Sequence, residues 1–198
     1  MELEGFDIWT SGQEGGLERN RRVGSTREAR KKGPRRNLRG IFKRRVYGRR
    51  MQIRRIGPED EAIYRELLVS LNDRDRYLRF FHSVPTIGPR EVQPFVCERP
   101  DMIGMLAIED GKALGAAHAF IDEDDSAEFA VEVRPDNRHQ GIGGKLLAAL
   151  VEALRERGVR ELVAHSLFDN SEFALIACEA HMKPEPEGAG VNLWRLPI

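Results

Sequence analysis

Regular alternation of apolar and polar positions begins at residue 51. Gln52 to Ile56 has the length and pattern of a short strand. Pro58-Glu59-Asp60 then places a proline near a first helical position and two acids in a first turn, where unpaired N–H groups favour negative charge. Ile63, Leu67, Leu68 and Leu71 follow at helical spacing. Asp73 to Phe81 predicts a second short helix with an aromatic cluster, Tyr77, Phe80 and Phe81, of the kind that usually joins a core. A third helix is expected over Arg90 to Glu98.

The period then changes. Ile103 to Ile108, Ala113 to Ile121 and Ala127 to Val133 are apolar runs of strand length, separated by turn-forming Glu109-Asp110-Gly111-Lys112 and Asp122-Glu123-Asp124-Asp125. They read as an antiparallel meander. A glycine-rich turn after Pro135 leads into a long amphipathic helix with Ile142, Leu146, Leu147, Leu150, Val151 and Leu154 on one face and Gly158 at its end. Val159 to Leu167 predicts a strand, Ser171 to Ala180 a helix, and Val191 to Leu196 a last strand. The simplest packing is an α/β (α+β) fold: one mixed, mostly antiparallel central sheet with helices on both faces.

Charge divides the 198 residues in two. Residues 1–50 hold 15 Lys and Arg against 6 Asp and Glu, whereas 51–198 hold 17 against 26, so the formal net charge of zero hides opposite excesses. The basic segment is too poor in apolar residues to offset its ordering entropy, and disorder is expected over 1–50. Its Arg and Lys could give weak nucleic-acid contact by displacing phosphate counterions, but Phe42 and Tyr47 are too few for base stacking. Met51, just ahead of the first strand, reads equally well as a domain start, and 51–198 is taken as the folded domain.

No run approaches the ~20 apolar residues that span a bilayer, and the early acids fit neither a secretory signal nor a transit peptide, so no membrane role and a cytoplasmic location are expected. Cys97 and Cys178 stand apart, without metal-ligand spacing, as free thiols; no metal site is expected.

The chemistry concentrates in Arg138-His139-Gln140-Gly141-Ile142-Gly143-Gly144-Lys145, between a strand and the amphipathic helix. Glycines let successive N–H groups face one point, and the helix N-terminus adds partial positive charge, a combination suited to a pyrophosphate. Taken alone it could be an ordinary connection. It lacks the Gly-Lys-Ser/Thr ending of a P-loop and follows a meander where a dinucleotide fingerprint would open βαβ units.

In its context this segment resembles the signature Gln/Arg-x-x-Gly-x-Gly/Ala of the GNAT family of acyl-CoA-dependent N-acetyltransferases, through Arg138, Gly141 and Gly143. The resemblance spans 51–198. It sharpens toward the GNAT domain of Pat-type bacterial protein-lysine acetyltransferases in Ile53-Arg54-Arg55-Ile56-x-Pro58-Glu59-Asp60, Arg76-Tyr77-Leu78-Arg79-Phe80-Phe81 and Ala127-Glu128-Phe129-Ala130-Val131. It implies acetyl-CoA as acyl donor, with its pyrophosphate on the N–H groups of Gln140, Gly141, Ile142, Gly143, Gly144 and Lys145, beside Arg138. Main-chain groups of Val131 and Val133 would pair with its pantetheine. That strand, ending at once in Pro135, is well placed to splay from its successor and offer unpaired groups to a ligand amide. Asn170 matches the family's cofactor-contacting Asn; it reads equally as the N-cap of the following helix.

Acetyl transfer to an amine needs a base, because a lysine of pKa about 10.4 is mostly charged at neutral pH. The resemblance implies Glu128 as the catalytic residue, since it falls where the family's catalytic Glu sits relative to the turn. Glu128, Ala130 and Glu132 share one strand face, and the alternative is that this face meets solvent and both acids are surface residues. Glu132 is expected to be structural or substrate-facing. A main-chain N–H at Val131 would meet the oxyanion. The family's tyrosine acid is replaced by Ala177, beside Cys178. His82, His118, His139 and His165 look scattered; His118 could orient Glu128 but is more simply a satisfied sheet residue. The expected activity is acetyl transfer to a protein lysine. The alternatives are a small-molecule amine acetyltransferase, for polyamines or antibiotics, and a non-catalytic acyl-CoA sensor.

Overall fold

The computed structural model describes residues 51–198; the disorder expected of 1–50 lies outside the described residues. Seven strands follow in chain order as β1 (Gln52–Arg55), β2 (Met102–Glu109), β3 (Lys112–Ile121), β4 (Ser126–Val133), β5 (Glu161–Leu167), β6 (Lys183–Gly188) and β7 (Val191–Pro197). The helices among the described residues are α1 (Glu61–Ser70), α2 (Asp73–Phe80), α3 (Pro89–Val96), α4 (Ile142–Arg155) and α5 (Ser171–Glu179). The strands make one sheet in the order β1-β2-β3-β4-β5-β7-β6. Every neighbouring pair is antiparallel except β4 with β5, joined by the crossover through α4. This is the GNAT-like mixed sheet expected from the sequence.

Alternation along the strands sends side chains to two separate cores. On one face Ala127 and Phe129 of β4, Leu162 and Ala164 of β5 and Trp194 of β7 meet Leu146, Leu147, Leu150 and Leu154 of α4 and Phe173 of α5. On the other face Leu106, Ala113 and Ala116 meet Tyr64, Leu67 and Leu68 of α1 and Val92, Phe95 and Val96 of α3. The stripe read on α4 is its buried face. Each leucine contributes roughly 1.5–3 kcal/mol by leaving water, and truncating Leu150 to alanine would cost about 2–5 kcal/mol with its cavity.

One strand was not expected, and one expectation needs correction. β6, Lys183-Pro184-Glu185-Pro186-Glu187-Gly188, has an exposed side chain at every position and does not read as a strand, because proline cannot donate to a ladder. It is tolerated because β6 is the sheet edge, where alternate N–H groups need no partner. The aromatic cluster of α2 is core only in part: Tyr77 is 45% exposed, whereas Phe80 is half-buried and packs against the α1–α3 core and Phe95.

Candidate active site

β4 and β5 pair at Ser126↔Glu161, Ala127↔Leu162 and Glu128↔Val163, and their pairing stops there. Beyond that point Phe129 to Val133 keep partners only on β3, and Ala164 to Leu167 only on β7. The N–H and C=O groups that face each other across the gap are therefore available to a ligand backbone. Val131 and Val133 lie on the β4 side of this gap, with side chains against the α4 core.

The turn following β4 runs through a 3₁₀ segment, Pro135–Asn137, to α4. His139 and Gly141 adopt left-handed φ values of 57° and 73°, which turn the chain sharply enough to present its amides outward. The first helical bond is Lys145 N–H to Gly141 C=O at 3.1 Å. No side chain caps α4 and its first turn holds no acid, so the N–H groups of Ile142, Gly143 and Gly144 are left for an anion. A Cβ on Gly141 would enter open space, whereas one on Gly143 would lie 2.5 Å from Ile176 Cδ1. Gly141 thus keeps the cradle open, and Gly143 lets α4 approach α5. These groups fit a pyrophosphate.

Other sequence-singled residues around the turn have protein partners. Arg138 pairs with Asp75 at the start of α2 at 2.8 Å, and its Nε donates to the Val133 carbonyl at 3.4 Å. Gln140 donates weakly to the Asp136 carbonyl at 3.5 Å. Asn170 caps α5, its Oδ1 accepting from Phe173 N–H at 3.1 Å. Ala177 is fully packed, whereas Cys178 is exposed.

Glu128 stands where the two strands part. Its Oε1 lies 2.6 Å from His165 Nδ1 on β5, and His165 Nε2 lies 3.1 Å from Glu187 Oε2 on β6. The Glu128 hydrogen bond holds the imidazolium above the ordinary histidine value, and the Glu187 charge adds to this against partial burial. Sequence reasoning passed over His165. Its signal was the alternation Glu161, Val163, His165, which puts the ring on the Glu128 face once β4 and β5 are neighbours.

Glu132 is neither a surface acid nor free to meet substrate. It is 5% exposed and receives Tyr64 Oη at 2.9 Å and Arg79 Nε at 2.9 Å. Burial pushes its carboxyl up, against the pull of Arg79 and the Tyr64 hydroxyl. His118 sits opposite Ala130 and does not orient Glu128. Its nearest carboxylate oxygen is Glu132 Oε1 at 3.7 Å, and neither ring nitrogen makes a well-formed hydrogen bond. Burial and the Arg79 charge press its pKa well down, so it is neutral, edge-packed against Tyr64 and Phe95. A hydrogen-bonding approach of the Phe95 main chain opposes part of that downward shift, so ring contacts are not all that holds this sheet histidine.

The gap between β4 and β5 and the uncapped start of α4 could receive an extended, phosphate-bearing ligand. Residues 67–174 match the acetyltransferase (GNAT) family, and the chain belongs to it. Acetyl-CoA is the acyl donor that goes with this family. Solved structures share the fold. The GNAT domain of S. lividans PAT is 22% identical, with 75% of this chain and 90% of that one covered and a TM-score of 0.70. PaiA N-acetyltransferase from Thermoplasma acidophilum, in complex with coenzyme A, is 16% identical over 75% of this chain and 99% of its own, with a TM-score of 0.61. The ribosomal-protein-S18-alanine N-acetyltransferase from Escherichia coli is 17% identical over 75% and 94%, with a TM-score of 0.58. Among the described residues no helix is long and apolar enough to cross a membrane.

Proposed function

We propose that this chain transfers the acetyl group of acetyl-CoA to the primary amine of a protein lysine, with Glu128 as general base. The observation that carries this reading is Glu128 at the point where β4 and β5 part, on the strand that leads through the glycine turn into the uncapped start of α4. Bound acetyl-CoA supplies an acyl thioester open to attack by an amine. The N–H groups from Gln140 to Gly144 hold the pyrophosphate, with Lys145, whose own N–H closes the first helical bond, beside them, and Val131 and Val133 offer main-chain groups to the pantetheine. Arg138, through its pair with Asp75, fixes the turn against α2. Asn170 keeps its Oδ1 for the cap and has its amide nitrogen for the donor.

The acceptor arrives as an ammonium, with a pKa about 10.4 for lysine, and must lose a proton before it attacks. Glu128, half-buried and fixed by His165, takes that proton directly or through one water. The N–H of Val131 lies on the strand edge where negative charge develops on the carbonyl oxygen. A cationic acceptor is drawn by the acidic surplus of 51–198 and by exposed Glu187 on the β6 edge, which shares His165 with Glu128. The same charge would serve a polyamine, which makes small amines the second reading. The free thiols Cys97 and Cys178 suit a reducing compartment, and we place the protein in the cytoplasm.

The test is thiol release from acetyl-CoA by the full chain against two panels, lysine-rich proteins and small polyamines or aminoglycosides. Turnover with proteins, mapped to lysine by mass spectrometry, supports the proposal. Turnover restricted to small amines favours the second reading, and binding without turnover would make the chain a sensor.

A further inference from the structure

The gap between β4 and β5 is bridged at its open end. Two ion pairs tie α2 to the β4 side: Arg79 reaches Glu132 near the end of β4, and Asp75 reaches Arg138 in the turn that follows. From the same helix Arg74 extends to the other wall. Its Nη2 donates to Asp169 Oδ2 at 2.7 Å, and Asp169 stands just past Leu167, the last residue of β5. A contact between residues 95 apart in sequence thus joins the two walls that part beyond Glu128 and Val163. On the transferase reading, on which this inference rests, the pantetheine lies between those walls. We propose that Arg74 and Asp169 form a clasp, a pair of positioning residues that opens to admit acetyl-CoA and closes across the seated pantetheine, lengthening its stay beside Glu128.

Three observations carry this. First, Glu132, which anchors α2 through Arg79, meets Tyr64 of the α1–α3 core, so α2 lies over the sheet face opposite α4. A donor seated on the α4 amides is therefore closed in from the other face by α2 and its link to Asp169. Second, α2 itself is fixed. Besides the two pairs to the β4 side, Arg76 donates to the Val69 carbonyl at 3.0 Å and to the Pro85 carbonyl at 3.3 Å, and Phe80 packs against the α1–α3 core. Third, the link to the β5 side is the exposed one. The Arg74 and Asp169 side chains are 62% and 64% exposed, against 9% and 3% for Arg79 and Glu132.

The contrast decides how the closure works. A buried pair on the β4 side holds the helix in place, because separating it would strand a charge away from water. An exposed pair contributes little to stability and exchanges its partner for water at small cost. Surface side chains also change rotamer within nanoseconds. The clasp therefore opens by rotation of Arg74 and Asp169 alone, with α2 and both strands left where they are. Neither residue touches a reacting atom on this account; both act on the residence of the donor.

The experiment follows CoA association and dissociation by stopped flow on the full chain, as wild type, Arg74→Gln, Asp169→Asn, and the exchanged pair Arg74→Asp with Asp169→Arg. Opening a clasp speeds entry and exit alike. Both single variants are expected to raise kon and koff together by about two- to fivefold, with Kd within about a factor of two. The exchanged pair should bring both constants back toward the wild type, and urea midpoints should not move. Charge alone predicts a different pattern, because CoA is an anion: loss of Arg74 would slow association and loss of Asp169 would speed it. Opposite changes of kon in the two single variants, or a rise of koff alone, would mean that these residues act by steering or by direct contact with the donor. Unchanged rates would mean that the pair is idle. Each of these results overturns the clasp and leaves the transferase reading standing, whereas a wild type that binds no CoA overturns both.

Discussion

Glu128 on β4 and His165 on β5 are 37 residues apart in sequence, yet their side chains meet at 2.6 Å where the two strands cease to pair. The contact fixes a carboxylate at the closed end of a gap that is otherwise main chain. Glu128→Gln keeps the shape and removes the basicity. It is expected to cut kcat by about 10²–10⁴-fold while calorimetry finds CoA affinity within a factor of two. A variant with wild-type turnover across pH 6 to 9 would take Glu128 out of the mechanism.

The glycine turn separates conformational from steric demands. At Gly141 an added Cβ has room but φ is 73°, so Gly141→Ala is expected to reshape the cradle at about 1–2 kcal/mol of backbone strain and to weaken CoA binding. At Gly143 the obstacle is Ile176 Cδ1, so Gly143→Ala should lower stability by about 1–3 kcal/mol. Adding Ile176→Val, which deletes that atom, should restore part of the loss in urea denaturation. No rescue would mean that the α4–α5 approach is not what Gly143 provides.

Arg79 and Glu132 form a buried pair that ties α2 to β4 through side chains 9% and 3% exposed. Arg79→Ala leaves Glu132 buried with only the Tyr64 hydroxyl, and a loss of about 3–5 kcal/mol is expected by chemical denaturation. A loss below 1 kcal/mol would show that water enters and that the pair is not sealed.

Two histidines give stability opposite slopes with pH. His118 is held neutral, below its ordinary 6.5, so the unfolded chain binds more protons under that value and stability falls as pH drops below about 6.5. His165 is held above the same 6.5; its contribution is complete below that value and is lost as pH rises through its folded value. Urea midpoints measured across pH are expected to fall on both sides, with His118→Phe flattening the acid arm and His165→Gln the alkaline arm. Unchanged arms in those variants would assign the slopes to other groups.

Much of this was legible because its causes are local. The period-2 runs of the meander, the stripe on α4 and the glycines of the turn each follow from bond geometry within a few residues, so they predict the sheet and cradle directly. The partners of Glu132 come from α1 and α2, and His165 reaches Glu128 only through the one parallel pairing. Such contacts are set by topology and leave no short-range pattern. β6 escaped for the opposite reason, its two prolines being a local signal against a strand that the sheet edge tolerates.

The central claim is that the gap and turn hold the donor by main chain. The direct measurement is a ¹⁵N-labelled amide NMR titration of the full chain with CoA. The largest shifts are expected at the amides of Gly141 to Lys145, followed by Val131 and Val133. Saturating shifts elsewhere, or none at the turn, would contradict it.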